Sequence, residues 1–408
     1  MTRVLIYAQA PPPVHGQSVM VGHLLDGLRM TGQADLNASP AANPGASIAY
    51  VHVNPQISSD LADIGRWRPG KIFGVLGFVL KAIVARFRHG LDTFYFVPAP
   101  PKRGAIYRDW VVLLLCRPFF RRLILHWHCV GQPEFLEKKM SAPERWLTRF
   151  CYRRADVSIA LSQYSKKEAG YFNPVKTEIV PNGVPEPCPR FEDEVGPDRV
   201  KRWEVRELAC DGRVSHPFYY EVLFLSARMT QKGLFDAMKA VTRANELLLE
   251  RQSRIRMRLT VAGPFDDDEE RAHYEAAARK IDAQQFPGGN EPLCVYVGWA
   301  DVEKKGVLYR QADCFIFPTT YPAESFGLVL VEAMAHGCAV VTTRWQAVPE
   351  VLPPGDPNVV EPHDIEAMAA ALLRCLRTPA DRSLRDYFLA HFTSERYVRE
   401  MVRVLGET

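Results

Sequence analysis

The sequence predicts an α/β protein in two halves, each a parallel sheet covered by helices on both faces. Three observations predict it. The chain has 408 residues, more than one hydrophobic core usually organises. Short β-rich runs alternate with longer helical patterns, as in successive βαβ units. That alternation breaks once, at a polar, proline-rich stretch, and then restarts. With 47% apolar and 24% charged residues, the chain has the balance of a folded globular protein rather than a disordered one.

In the first half, strands are expected at 4–7, 49–53, 93–97, 123–127, 157–161 and 178–180, with helical patterns between them, such as 19–30 and 144–154. The opening apolar run stops at Pro11-Pro12-Pro13, so it reads as a strand and not as a signal peptide. The run 72–84 is too short to span a bilayer. It is interrupted by Lys81 and flanked by Lys71, Arg86 and Arg88. As a helix it is amphipathic and basic, and it lies either on a membrane surface or against the sheet with its charges in water. Residues 185–216 carry Pro185, Pro187, Pro189 and Pro197 among many charges, and read as a linker with a short helix.

Strands then resume at 221–226, 257–262, 293–297, 314–317 and 339–342, with helices at 234–250, 269–282, 302–311, 326–336 and 365–376, and a last helical pattern at 394–404. The expected domains are 1–185, a linker region 186–218, 219–390, and a C-terminal helix within 391–408. Two such halves would face each other across a cleft. Ligands of open parallel sheets bind beyond the C-terminal strand ends, so chemistry-bearing residues should cluster in strand-to-helix loops.

The net charge of +4 is unevenly spread: residues 71–122 hold ten Lys/Arg against Asp92 and Asp109. Such a patch attracts phosphates, acidic glycans or anionic headgroups, or is simply a solvated face. Nucleic acid is not an expected partner. The nine cysteines show no paired spacing, which argues against a disulfide framework or structural zinc and for a reducing, cytoplasmic compartment. Cys294, Cys314 and Cys338 sit in apolar runs, where a thiol packs as a small hydrophobe.

Four segments carry candidate chemistry. The first, 324–335, follows the strand 314–317 and opens a helix. Gly327, within Ser325-Phe326-Gly327-Leu328, lets a ligand approach the backbone, and the N–H groups and dipole of a helix start there favour a phosphate. Glu324 in the loop and Glu332 on the helix are placed to accept hydrogen bonds from sugar hydroxyls, or to serve as a capping and an exposed carboxylate. The second segment, 226–233, puts Arg228 and Lys232 in one strand-to-helix loop, where they can neutralise a diphosphate or lie in solvent. The third, His126-Trp127-His128, ends a strand with two histidines on one side. It reads better as a strand-end histidine hydrogen-bonding a substrate hydroxyl than as a metal pair. The fourth is the opening loop 11–18, in which Gly16 precedes a helix and offers amides to an anion. No GxxxxGK[ST] and no G-x-S-x-G occurs, so neither a P-loop nor a hydrolase elbow is supported. The acidic run 266–270 reads as a helix cap in solvent rather than a cation site.

Together these segments resemble family-4 glycosyltransferases, retaining enzymes of the GT-B fold with two Rossmann-like domains. The resemblance rests on Glu324 and Glu332 with Ser-Phe-Gly between, on Arg228 with Lys232-Gly233, on Pro181-Asn182-Gly183-Val184, on Val261-Ala262-Gly263 and on Val297-Gly298. It implies that Arg228 and Lys232 hold the donor diphosphate. It also implies that Glu332 binds the ribose and that Glu324 binds the transferred sugar, near the amides of 326–328. His128 would face that sugar, Gly16 would approach the β-phosphate, and the last helix would return to the first domain. Two positions depart from the pattern: Ala227 replaces a usual glycine before Arg228, and Gln17 replaces a second glycine in the opening loop.

The function so implied is transfer of a sugar, with retention, from a nucleoside-diphosphate sugar to a hydroxyl, UDP being favoured. No metal or other cofactor is implied. The acceptor would be a glycan or lipid-linked molecule of cell-surface polysaccharide or glycolipid synthesis, reached from the cytoplasm with peripheral contact to an anionic membrane. The alternatives are a nucleotide-sugar epimerase or a non-catalytic partner protein of the same fold.

Overall fold

The computed structural model describes residues 1–38, 45–56, 69–214, 216–227, 229–285, 291–379 and 382–407, with only the backbone described at 69–72. The chain divides into two compact units, Met1–Pro185 with Phe392–Thr408, and Glu186–His391.

Among its described residues the first unit holds seven strands: β1 (Thr2–Tyr7), β2 (Ala34–Asp35), β3 (Ile48–Val53), β4 (Thr93–Phe96), β5 (Arg122–His126), β6 (Val157–Ala160) and β7 (Lys176–Ile179). All pair in parallel, in the order β2-β3-β1-β4-β5-β6-β7. The central strands are covered on both faces, which is why they read as continuous apolar runs rather than alternating ones. On one face Val75, Val79, Ile106, Leu113 and Tyr152 from helices pack on Leu5, Tyr7, Phe94 and Phe96 of the sheet. The helices Gly16–Met30 and Ser394–Gly406 pack against each other, so closely that a Cβ on Gly27 would meet the Val398 side chain at 2.1 Å. The Arg122 guanidinium, donating to the carbonyls of Val404 and Leu405 at 3.0 and 3.1 Å, ties down the end of the last helix.

Several cations of the basic stretch are spent in this way. Arg86 donates to the Phe119 carbonyl, Arg117 to Cys151 and Arg154 carbonyls, and Arg103 pairs with Glu144. Asp109 is not a surface counter-charge. It is fully buried and accepts from Tyr152 Oη at 2.7 Å, the Ala99 amide at 2.6 Å and Arg108 at 2.8 Å. It thereby pins the loop that follows β4. The Lys71 side chain lies outside the described residues.

The second unit holds β8 (Phe218–Leu225), β9 (Ile255–Ala262), β10 (Cys294–Tyr296), β11 (Cys314–Phe317), β12 (Ala339–Thr343) and β13 (Val359–Val360), all parallel, in the order β10-β9-β8-β11-β12-β13. The stretch read as a linker with a short helix instead contains a 15-residue helix, Gly196–Cys210, that packs on this unit. Its polarity hides structural arginines. Arg199 donates to the carbonyls of Tyr309, Ala312 and His336, and Arg206 lies 4.4 Å from the Trp203 ring and 5.2 Å from that of Tyr220. Long cationic side chains bury their stems this way while satisfying helix C-termini. All nine cysteines are free, Cys294, Cys314 and Cys338 being buried.

Candidate functional site

In the second unit the chain lays down β8, β9 and β10 outward in one direction and then returns to place β11 on the other side of β8. The order therefore reverses between β8 and β11, the topological position where doubly wound sheets bind ligands at their carboxyl ends. Two loops emerge there, 226–233 after β8 and 318–327 after β11.

These loops meet through their backbones. Gly233, with φ of +91°, caps the helix Leu234–Glu250, and a Cβ there would lie 2.2 Å from the Pro318 carbonyl oxygen. Only glycine allows both that φ and that approach. The second loop is held from below by two buried threonines: Thr342 Oγ1 donates to the Phe317 carbonyl at 2.7 Å and Thr343 Oγ1 to that of Thr319 at 2.6 Å. Trp345 Nε1 donates to the Tyr321 carbonyl at 2.8 Å. The first loop is braced by Glu270, whose carboxylate accepts from the amides of Thr230 and Asp266 at 2.8 and 2.6 Å. The acidic run thus does more than cap its helix, although Asp267 does take the Glu270 amide at 2.8 Å.

Lys232 and Glu324 are brought together at this junction as an ion pair, with side chains only 16% and 9% exposed. The Lys232 ammonium also lies 4.6 Å from the Tyr321 ring centre and 5.5 Å from that of Phe317. An ammonium has three donors, so one carboxylate leaves it able to bind an anionic ligand as well. Ser325 and Phe326 follow, and Gly327, in the left-handed conformation at φ +85°, is the N-cap of the helix Leu328–Ala335. In that helix's first turn the Leu330 amide donates to the Gly327 carbonyl at 2.9 Å, and the remaining amides of such a helix start favour an anion. Arg228 lies outside the described residues.

Glu332 sits in the same helix, and its carboxylate accepts from Lys305 Nζ at 3.2 Å and Tyr309 Oη at 3.0 Å. The backbone carbonyl of Glu332 lies 2.8 Å from His336 Nδ1, and burial lowers the His336 imidazole to about 4. Lys305 and Tyr309 went unmarked in the sequence because they belong to a different helix, Val302–Gln311. Among the described residues no cluster of three or more His, Cys, Asp or Glu is placed to hold a metal.

In the first unit His128 lies just beyond β5 and is buried. Its ring centre is 4.1 Å from that of His126, which in turn lies 2.7 Å from Tyr95 Oη through Nδ1. Burial, reinforced by repulsion from His15, lowers His128 to about 3, and burial drives His126 well down too. Both imidazoles are therefore neutral at physiological pH and act as hydrogen-bonding groups rather than cations. His15, which the sequence reading passed over, caps the helix that begins at Gly16. Its Nδ1 accepts from the Ser18 amide at 3.3 Å while its own amide donates to Ser18 Oγ at 3.0 Å. Its Nε2 is buried with no hydrogen-bond partner among the described residues. Gly16 thus opens a capped helix, its amide at the strand-end edge that also carries His128.

Residues 220–378 match the family model described as Glycosyl transferases group 1. The O-antigen chain mannosyltransferase B of Escherichia coli is 35% identical over 98 residues, 24% of this chain and 25% of that protein. The phosphatidyl-myo-inositol mannosyltransferase of Mycolicibacterium smegmatis is 41% identical over 105 residues, 26% of each. The chain thus matches about a quarter of the length of these curated relatives. Along almost its whole length it shares the fold of solved structures. The sucrose-phosphate synthase of Thermosynechococcus elongatus gives a TM-score of 0.64 at 17% identity, covering 99% of this chain and 98% of that one. An Anabaena protein in complex with UDP and glucose gives 0.60 at 17% identity, covering 99% of both. The fold is GT-B, built of two parallel-sheet α/β domains.

Proposed function

We propose that the protein is a retaining hexosyltransferase that moves a sugar from a nucleoside-diphosphate sugar to a hydroxyl acceptor. The observation that carries this reading is the Lys232–Glu324 pair at the β8/β11 switch point, beside the first turn of Leu328–Ala335. A cation and helix amides together suit a diphosphate, and a carboxylate at the same spot suits sugar hydroxyls.

In this reading Lys232, together with Arg228, holds the diphosphate and stabilises the charge that builds on it as the bond to C1 breaks. The new bond from C1 to the acceptor oxygen forms on the same face, and the acceptor proton passes to the departing phosphate oxygen. No protein nucleophile and no metal is required. Glu324 orients the transferred sugar, aided by the backbone at Ser325, Phe326, Gly327 and Leu328. Glu332, held by Lys305 and Tyr309, takes the ribose hydroxyls. His128, neutral, donates a hydrogen bond to the sugar, and the Gly16 amide serves the β-phosphate.

UDP is the favoured nucleotide, as in the Anabaena neighbour, and mannose is a candidate sugar because two relatives bear the name mannosyltransferase. A glycan or a lipid-linked molecule of surface-polysaccharide or glycolipid synthesis is the proposed acceptor. The test is a calorimetric screen of UDP, GDP and ADP and their sugar conjugates, with and without magnesium. Binding of one nucleotide class without magnesium is expected. Binding of none would sink the transferase reading.

A further inference from the structure

The helices Pro69–His89, Arg103–Cys116 and Ala142–Tyr152 pack side by side in that order on one face of the first unit's sheet. Their inward residues, among them Val75, Val79 and Ala82, are core. Their outward residues are not those of a face turned to water. Phe73 (77% exposed), Leu76, Leu80 (62%), Val84 and Phe87 (64%) recur at spacings of three and four, which puts them on one outward stripe of the first helix.

The stripe continues sideways. Phe87 meets the exposed Phe119 ring edge-on at 5.6 Å. On the third helix Trp146 (66% exposed) stacks on Phe150 at 5.6 Å, and the Arg153 guanidinium lies 4.4 Å from the Phe150 ring centre. Lys81 and Arg88 fall on the outward half of the first helix. The acids nearest this face are already engaged: Asp109 is buried, Glu144 pairs with Arg103 and Glu137 with Arg149.

We propose that this three-helix face docks the protein on an anionic lipid bilayer surface. Exposed Phe and Leu, a Trp, and flanking Lys and Arg are the composition of a segment lying in the headgroup layer, where rings and stems are buried and cationic heads stay at the phosphates. The charge selects the occupant. Two copies meeting through this face about a two-fold axis would set like cations against each other, whereas anionic headgroups neutralise them. Docking itself does not depend on the transferase reading. Its use does: the first helix follows β3, so its Phe73 end lies at the strand-end edge that carries His15 and His128, and a lipid-borne hydroxyl acceptor would be presented there.

The test is co-sedimentation of the full chain with phosphatidylcholine vesicles, with and without phosphatidylglycerol, at low and high salt. We expect binding only with phosphatidylglycerol, weakened by salt. Combined Phe73→Ser, Leu80→Ser and Phe87→Ser should weaken it roughly tenfold or more, and Lys81→Gln with Arg88→Gln should do so at low salt. Circular dichroism should show these surface variants folded, and calorimetry should show UDP binding unchanged. Failure of the wild type to sediment, or equal binding by the triple variant, would overturn the proposal. So would a concentration-dependent dimer that the triple variant abolishes. Because UDP binding is read separately, loss of vesicle binding alone leaves the donor-site reading standing, and loss of UDP binding alone leaves docking standing.

Discussion

Replacing either partner of the Lys232–Glu324 pair should move nucleotide affinity in opposite directions. Lys232→Met removes the ammonium proposed to hold the diphosphate, and charge-assisted bonds of that kind contribute roughly 1–3 kcal/mol. UDP binding should weaken by that amount. Glu324→Gln keeps the shape and removes a negative charge. A phosphate oxygen bound to Lys232 would sit roughly 6 Å from that carboxylate. At an effective dielectric of about 20 the repulsion is near 3 kcal/mol, and solvent screening reduces it to roughly 1–2 kcal/mol. UDP should therefore bind Glu324→Gln as tightly as wild type or tighter, while sugar transfer falls. Lys232→Met also strands a carboxylate that is 9% exposed, which should cost about 2–4 kcal/mol of stability, and Glu324→Gln added to it should restore most of the loss. Calorimetric titration with UDP and thermal unfolding of both single variants and the double variant supply the readouts. If Glu324→Gln weakened UDP as much as Lys232→Met did, with both proteins folded, the division of labour within the pair would be wrong.

Three further outcomes are expected. Lys305→Met or Tyr309→Phe should loosen the Glu332 carboxylate, which each contacts, and should weaken UDP more than inorganic pyrophosphate, by roughly 0.5–1.5 kcal/mol; equal losses for the two ligands would remove Glu332 from ribose recognition. Gly233→Ala should cost at least about 2 kcal/mol, since φ is +91° and the Pro318 carbonyl blocks a Cβ, and an unchanged melting temperature would show that the two loops are not locked as described. Stability should also fall in mild acid: His15, His52, His126, His128 and His336 are all lowered by burial, His128 to about 3 and His336 to about 4. Groups held neutral in the fold contribute stability that is complete above the unfolded histidine value of about 6.5. That stability drains as pH falls from there toward the folded values, so a melting temperature flat between pH 7 and 4 would contradict the buried, neutral imidazoles.

The parallel sheets were legible because strands covered on both faces must be apolar throughout, as at Phe94–Phe96 and Cys314–Phe317. The short edge strands Ala34–Asp35 and Val359–Val360 were not, since two residues carry no period. The stretch that holds the helix Gly196–Cys210 was read as a linker with only a short helix for a physical reason. Its interface with the second unit is made by Arg199 and Arg206 bonding carbonyls and stacking on rings, so burial there is invisible to a reading that equates charge with solvent.

The site divides along the same line. Its loops, glycines and helix start were legible because each is a local pattern: a strand end, a positive-φ glycine, then a helix. Which side chains meet was not, because that depends on strand order. Nothing near Lys232 in sequence announces Glu324, yet the reversal that seats β11 beside β8 makes their loops neighbours, and the bare backbone of Gly233 against Pro318 sets how closely. The same holds for Glu332 with Lys305 and Tyr309. A switch point thus converts two unremarkable loops into one charged pair. The Lys232–Glu324 coupling should therefore be sensitive to the backbone as well as to the charges: Gly233→Ala, which alters neither charge, should reduce the pair's coupling energy in a double-mutant cycle if loop approach is what brings the two together.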